Sequence, residues 1–212
     1  MEKGKGIIHV APSIESWKVP GVVYRGKTGA YEFVGEMVPA MTQEKQMEKY
    51  GVKIPSAPLF WAIADRAYEL RNENPDSAET LRSFLQQGLR KYPNTSSRII
   101  YEPFGQDEII HNYNTSEQYS LSADIVGSDG EITDIPDKEV LEALLETKDI
   151  DKINKVSNWI NGTPFWIWRL NSRPKQKDER VARFLVGSGR LLLDCYRYLA
   201  LQYPGFWVER IE

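Results

Sequence analysis

The chain has few of the residues that usually advertise chemistry. Its one cysteine, Cys195, cannot close an intramolecular disulfide and cannot alone build a zinc site, which usually draws on several Cys or His ligands. Histidine is limited to His9 and His111. No apolar run approaches the roughly 18 residues of a membrane span, and the opening "MEKGKGIIHVAP" lacks the apolar core of a secretory leader. A cytoplasmic address without membrane attachment is the expectation. No motif calls for a cofactor. Disorder is excluded as the default, because 41% of the 212 residues are hydrophobic and 27% charged, an ordinary globular balance.

Charge is nearly balanced overall, at a net of -3, but unevenly spread. Residues 101–151 hold 14 acidic side chains against Lys138 and Lys148, whereas residues 152–212 hold 11 basic against 5 acidic. Such asymmetry steers a charged partner, or lets copies of one molecule attract each other, so an assembly subunit is one candidate class.

Short β-branched and aromatic runs bounded by Gly or Pro predict strands at "GIIHV", "GVVYR", "YEFVGEMV", "SRIIYE", "EIIHNY", "YSLSADIV", "FWIWRL" and "FWVERI". Helices carry caps as well as periodicity. Ser56 and Pro58 open "SAPLFWAIADRAYEL", Asn74 and Pro75 open the next, "PDKEVLEALLE" follows, and Gly162 closes "DIDKINKVSNWING". A fifth, long amphipathic helix is expected from Gln176 to about Gln202, followed by a final strand. Its phase gathers Arg180, Arg183, Arg190 and Arg197 into a ridge opposite Val181, Phe184, Leu185, Leu192, Cys195 and Leu199. The expected fold is α+β: a mixed or antiparallel sheet with about five helices, in one domain over 1–212, with 94–101 the place for any subdivision.

The stretch "WINGTPFWIWRLNSRPKQK" runs tryptophans into cations. In an extended chain Trp166 and Trp168 share one face, and Phe165 and Ile167 the other. Aromatic faces beside Arg169, Arg173 and Lys175 suit single-stranded nucleic acid through stacking and phosphate contact, and the arginine ridge suits an acidic protein surface equally. The leading expectation is therefore a non-enzymatic macromolecular binding protein using Trp166, Trp168, Arg169, Arg173, Lys175, Arg180, Arg183, Arg190 and Arg197.

A metal-dependent hydrolase or nuclease using the acidic segment 102–148 is the alternative. Pro136-Asp137 followed by Glu146-x-Lys148 resembles the letter pattern of a PD-(D/E)xK nuclease site, which implies carboxylates on Mg²⁺ and a lysine beside the attacking water. The likeness covers those four residues only, and Val140, Leu141, Leu144 and Leu145 make the spacer helical. His111, near Glu102, Asp107 and Glu108, is a candidate base or ligand, although Glu108 and His111 point to opposite faces of a strand. Cys195 on the apolar side is a core residue before it is a nucleophile, and "GSG" around Ser188 lacks the elbow of a GxSxG site.

Overall fold

The structure, a computed structural model, describes residues 6–10, 14–135 and 138–212. Among these lie five α-helices and eleven strands. In chain order they are β1 (Ile8–Val10), β2 (Ser16–Tyr24), β3 (Lys27–Met41), α1 (Gln43–Tyr50), α2 (Ala57–Leu70), α3 (Pro75–Leu89), β4 (Asn94–Tyr101), β5 (Asp107–His111), β6 (Tyr119–Ala123), β7 (Gly130–Glu131), α4 (Glu139–Leu145), α5 (Ile150–Asn161), β8 (Phe165–Trp168), β9 (Asp178–Gly187), β10 (Arg190–Tyr198) and β11 (Tyr203–Arg210).

All eleven strands form one mixed sheet ordered β1-β2-β3-β11-β4-β9-β10-β8-β7. The sheet branches at β4. One edge of β4 runs along β9, while the other meets β11 at Asn94 and β5 at Arg98 to Ile100, with β6 beyond β5. Such a strand has sheet on both edges, and all eight of its residues are buried, polar Asn94, Thr95, Ser96 and Ser97 included. Buried hydroxyls and amides need partners. Thr95 donates to Ala182 O, and Asn94 donates to Gln46 of α1.

Helices α2, α3 and α5 cover one face of the sheet. Phe60 of α2 lies 4.7 Å from Phe184 of β9 and 5.2 Å from Phe206 of β11, and Trp61 lies 4.9 Å from Phe165 of β8. Consecutive residues of a strand face opposite ways, so Trp207, packed with Val38, Met47 and Ile54, places α1 on the other face. The sequence missed α1 because Met47 is the only apolar residue it buries, beside Gln43 and Gln46. The caps fall as expected at Ser56, Asn74 and Gly162.

One expectation is overturned. The long amphipathic C-terminal helix does not exist: residues 178–198 are the hairpin of β9 and β10. Ser188 and Gly189 both have positive φ, 52° and 74°, and Gly187 pairs with Arg190 across them. That is the two-residue turn whose twist matches antiparallel strands. Both strands lie inside the sheet and are buried on both faces, so each reads as a continuous apolar run, and a run of "VARFLV" or "RLLLDC" satisfies a 3.6 period by accident. The arginine ridge disappears with the helix. The final element is a strand, β11, as expected.

Candidate functional site

The β2–β3 hairpin turns at Arg25-Gly26, with φ of 51° and 69° and Tyr24 paired to Lys27. This tight turn thrusts Arg25 sideways, its guanidinium carbon 3.8 Å above the ring of Tyr119. A cleft lies on each side of the turn, and Tyr24 and Arg25 line both.

The larger cleft, about 580 Å³, collects Arg25, Lys27, Lys53 and Arg210 from separate segments. Glu117 and Glu209 supply the opposing charge, and Tyr31, Leu59 and Val208 an apolar share. Lys53 is held 3.1 Å from Glu209, over the ring of Trp207, and Arg210 Nε donates to Glu212 O. Among the described residues Arg25 and Lys27 have no ion-pair partner. Burial pushes the Tyr31 hydroxyl up, against the pull of Arg210.

A chain of hydroxyls joins the clefts. Ser56 Oγ caps α2 by accepting from Leu59 N and lies 3.0 Å from Tyr24 Oη, which is 3.2 Å from Tyr119 Oη. Tyr119 donates to Glu146 in the smaller cleft, and Asn112 donates to Tyr24 at 3.4 Å. Burial, then the bonds to Glu146 and Tyr24, hold the Tyr119 hydroxyl far above its ordinary range, so it keeps its proton. The smaller cleft, about 360 Å³, contains an ion-pair lattice in which Lys152 meets Asp65 at 2.7 Å and Glu69 at 3.3 Å, and Arg66 meets Glu69 at 2.9 Å. Burial raises the Asp65 carboxyl despite Lys152.

Beside this chain His111 is fully buried. Its Nε2 lies 2.8 Å from Ala143 O, which can only accept, so Nε2 carries the hydrogen and Nδ1 accepts from Ser97 Oγ at 2.7 Å. Burial lowers its pKa to about 4. Both nitrogens are spent on the fold, and nothing remains for a substrate or a metal.

The residues singled out from sequence are scattered. Trp166 and Trp168 share one half-buried face while Phe165 and Ile167 are buried on the other, and Arg190 sits 3.8 Å over the Trp166 ring. Arg169 is buried, donating to Ile125 O and Ser128 O. Arg173 pairs with Asp107 and Asp124, and Lys175 is exposed in the β8–β9 loop. Arg180 is buried against Asp178 and Tyr198. Arg183 and Arg197 both hold the buried Asp194, at 3.0 Å each.

The acidic segment is equally committed. Asp107 is buried, accepting from Glu102 N, Ile125 N and Arg173. Pro136 and Asp137 of the nuclease-like pattern lie outside the described residues, Glu146 is taken by Tyr119, and Lys148 pairs with Glu142. Among the described residues no three His, Cys, Asp or Glu side chains gather to hold a metal ion. Cys195 is buried, its thiol pushed up by that burial, and Ser188 belongs to the hairpin turn.

Sequence reasoning missed Tyr24, Arg25 and Lys27. The signal was present: two β-rich runs flank "YRGKTG", and a glycine-containing pair between strands is a hairpin turn that exposes whatever side chains flank it. Comparison with family models, with curated proteins and with solved structures found no match.

Proposed function

We propose that the protein binds a small organic anion, bearing at least two negative groups and an apolar body, in the larger cleft. The observation that carries this is the convergence of four cations on one half-apolar cleft, two of them, Arg25 and Lys27, without a carboxylate partner among the described residues. Cations left unpaired inside a concave surface are what a multiply charged ligand needs, and a volume of about 580 Å³ falls in the range of small-molecule sites. Phosphorylated or polycarboxylated ligands satisfy this chemistry.

Calorimetric titration with a naphthalenedisulfonate, a rigid aromatic dianion, tests the reading. Lys27→Ala and Arg25→Asn, the second chosen because Asn tolerates the positive φ, should each weaken binding by about tenfold, the scale of one charge-assisted hydrogen bond. Arg190→Ala should leave it unchanged. Equal losses at all three positions would mean nonspecific charge attraction and would end the proposal.

The macromolecular reading retains one feature, Trp166 beneath Arg190 on a partly exposed face. Titration of a single-stranded oligonucleotide against wild type and Arg190→Ala tests it, with a loss of affinity and a shallower salt dependence expected if that face binds.

A further inference from the structure

We propose that Glu146, in the smaller cleft, is a positioning residue for the ligand of the larger cleft, acting through Tyr119 to set whether Tyr24 offers that ligand a hydroxyl proton. The inference rests on the anion-binding reading above and adds a specificity device to it.

Each hydroxyl has one proton to give. An ionised carboxylate only accepts, so the Tyr119 proton is committed to Glu146. Tyr119 Oη then accepts from Tyr24, and Tyr24 Oη accepts from Ser56 and from Asn112 Nδ2. Leu59 N closes the far end by donating to Ser56 Oγ. Every bond points the same way, from the first turn of α2 to Glu146, and the Tyr24 proton is used up inside the protein. An anion arriving beside Tyr24 meets an oxygen with no hydrogen to donate.

A proton gained by Glu146 reverses the chain. The carboxyl donates to Tyr119, Tyr119 turns its proton to Tyr24 in place of the long 3.4 Å bond from Asn112, whose amide keeps Glu117 O, and Tyr24 is free to turn its own proton to the anion. No covalent bond changes. One proton is taken up at Glu146 and one hydrogen bond is gained by the ligand two hydroxyls away. The groups that face Glu146 are Tyr119 from β6, Arg25 from the turn, Asp65, Arg66 and Glu69 from α2, and Lys152 from α5. His111 of β5 packs its ring 5.1 Å from that of Tyr119 with both nitrogens held by the fold, a contact that Tyr119→Phe retains. Lys152 is held by Asp65 and Glu69, Arg66 by Glu69, and Arg25 lies on the Tyr119 ring. Lys148, nearby in sequence, is held by Glu139 and Glu142.

The test uses the naphthalenedisulfonate on the full chain, because its sulfonates stay ionised while protein carboxyls titrate. Wild type should bind about tenfold more tightly at pH values low enough to protonate Glu146 than near neutrality, beyond whatever Glu117 and Glu209 contribute. Tyr119→Phe keeps those two carboxyls and should lose the tenfold part. Glu146→Gln, which has no proton to gain, should lose the tenfold part as well. A second readout needs no ligand: isotope-labelled Tyr24 ring signals should follow the Glu146 titration in wild type and not in Tyr119→Phe. A Tyr24 signal blind to Glu146, or the same pH slope in Tyr119→Phe as in wild type, overturns the proposal. A coupled Tyr24 signal with no binding of the probe at any pH supports the relay and overturns the anion-binding reading instead.

Discussion

His111 illustrates how a residue that looks catalytic on paper becomes structural once its partners are known. With a pKa held near 4 by burial, against about 6.5 when unfolded, it is neutral in the fold at pH 7. A depressed histidine means that the unfolded chain takes up the proton first as pH falls. Stability is therefore full above about pH 6.5 and declines through the window down to about pH 4, by up to roughly 3 kcal/mol from this one group. Urea unfolding across that window should show the decline in wild type and a smaller one in His111→Gln. An identical decline would mean that other groups carry it.

Asp194 makes the complementary case. It and Arg183 are both buried, and Arg183 lies 4.0 Å from the Tyr203 ring. Removing one partner of a buried pair leaves an uncompensated charge, so Asp194→Ala should cost about 3 to 5 kcal/mol, read from the denaturation midpoint. The exposed pair of Arg82 with Glu79 should yield under about 1 kcal/mol in the same assay. None of this was legible in the sequence, where Arg183 and Asp194 register only as charges. Which charges are buried depends on strand order, which local patterns do not encode.

At the scale of elements, the helices with caps were legible, and the segment 178–198 was not. Ser56, Asn74 and Gly162 act through side-chain oxygens and backbone freedom that operate within four residues. A strand in the middle of a sheet has no such local marker, because both its faces are apolar. The glycines at 187 and 189 were the available clue: two of them cost a helix about 2 kcal/mol, but a hairpin turn uses the freedom of Gly189 directly. Gly189→Ala separates the two structures by sign. With φ of 74° it should destabilise the hairpin by about 1 kcal/mol, whereas in a helix the same change would stabilise by a similar amount.

Across the whole molecule, the α+β composition was readable, and the clefts were not. The larger cleft is built from residues as far apart as Arg25 and Arg210, brought together because β11 pairs with β3 next to the β2–β3 turn. The chain's cation-rich C-terminal third contributes a single cation, Arg210, to it. Counting charge along the sequence thus pointed to a real excess but to the wrong neighbourhood for a cleft, since most of those arginines satisfy carboxylates and carbonyls within the sheet.

The most direct measurement is amide NMR of the isotope-labelled full chain titrated with the naphthalenedisulfonate. Binding in the larger cleft should give saturable shifts centred on Arg25, Lys27, Lys53, Asn112 and Arg210, the backbone around that cleft. Shifts centred instead on Trp166 and Arg190, or spread without saturation over all exposed lysines and arginines, would contradict it.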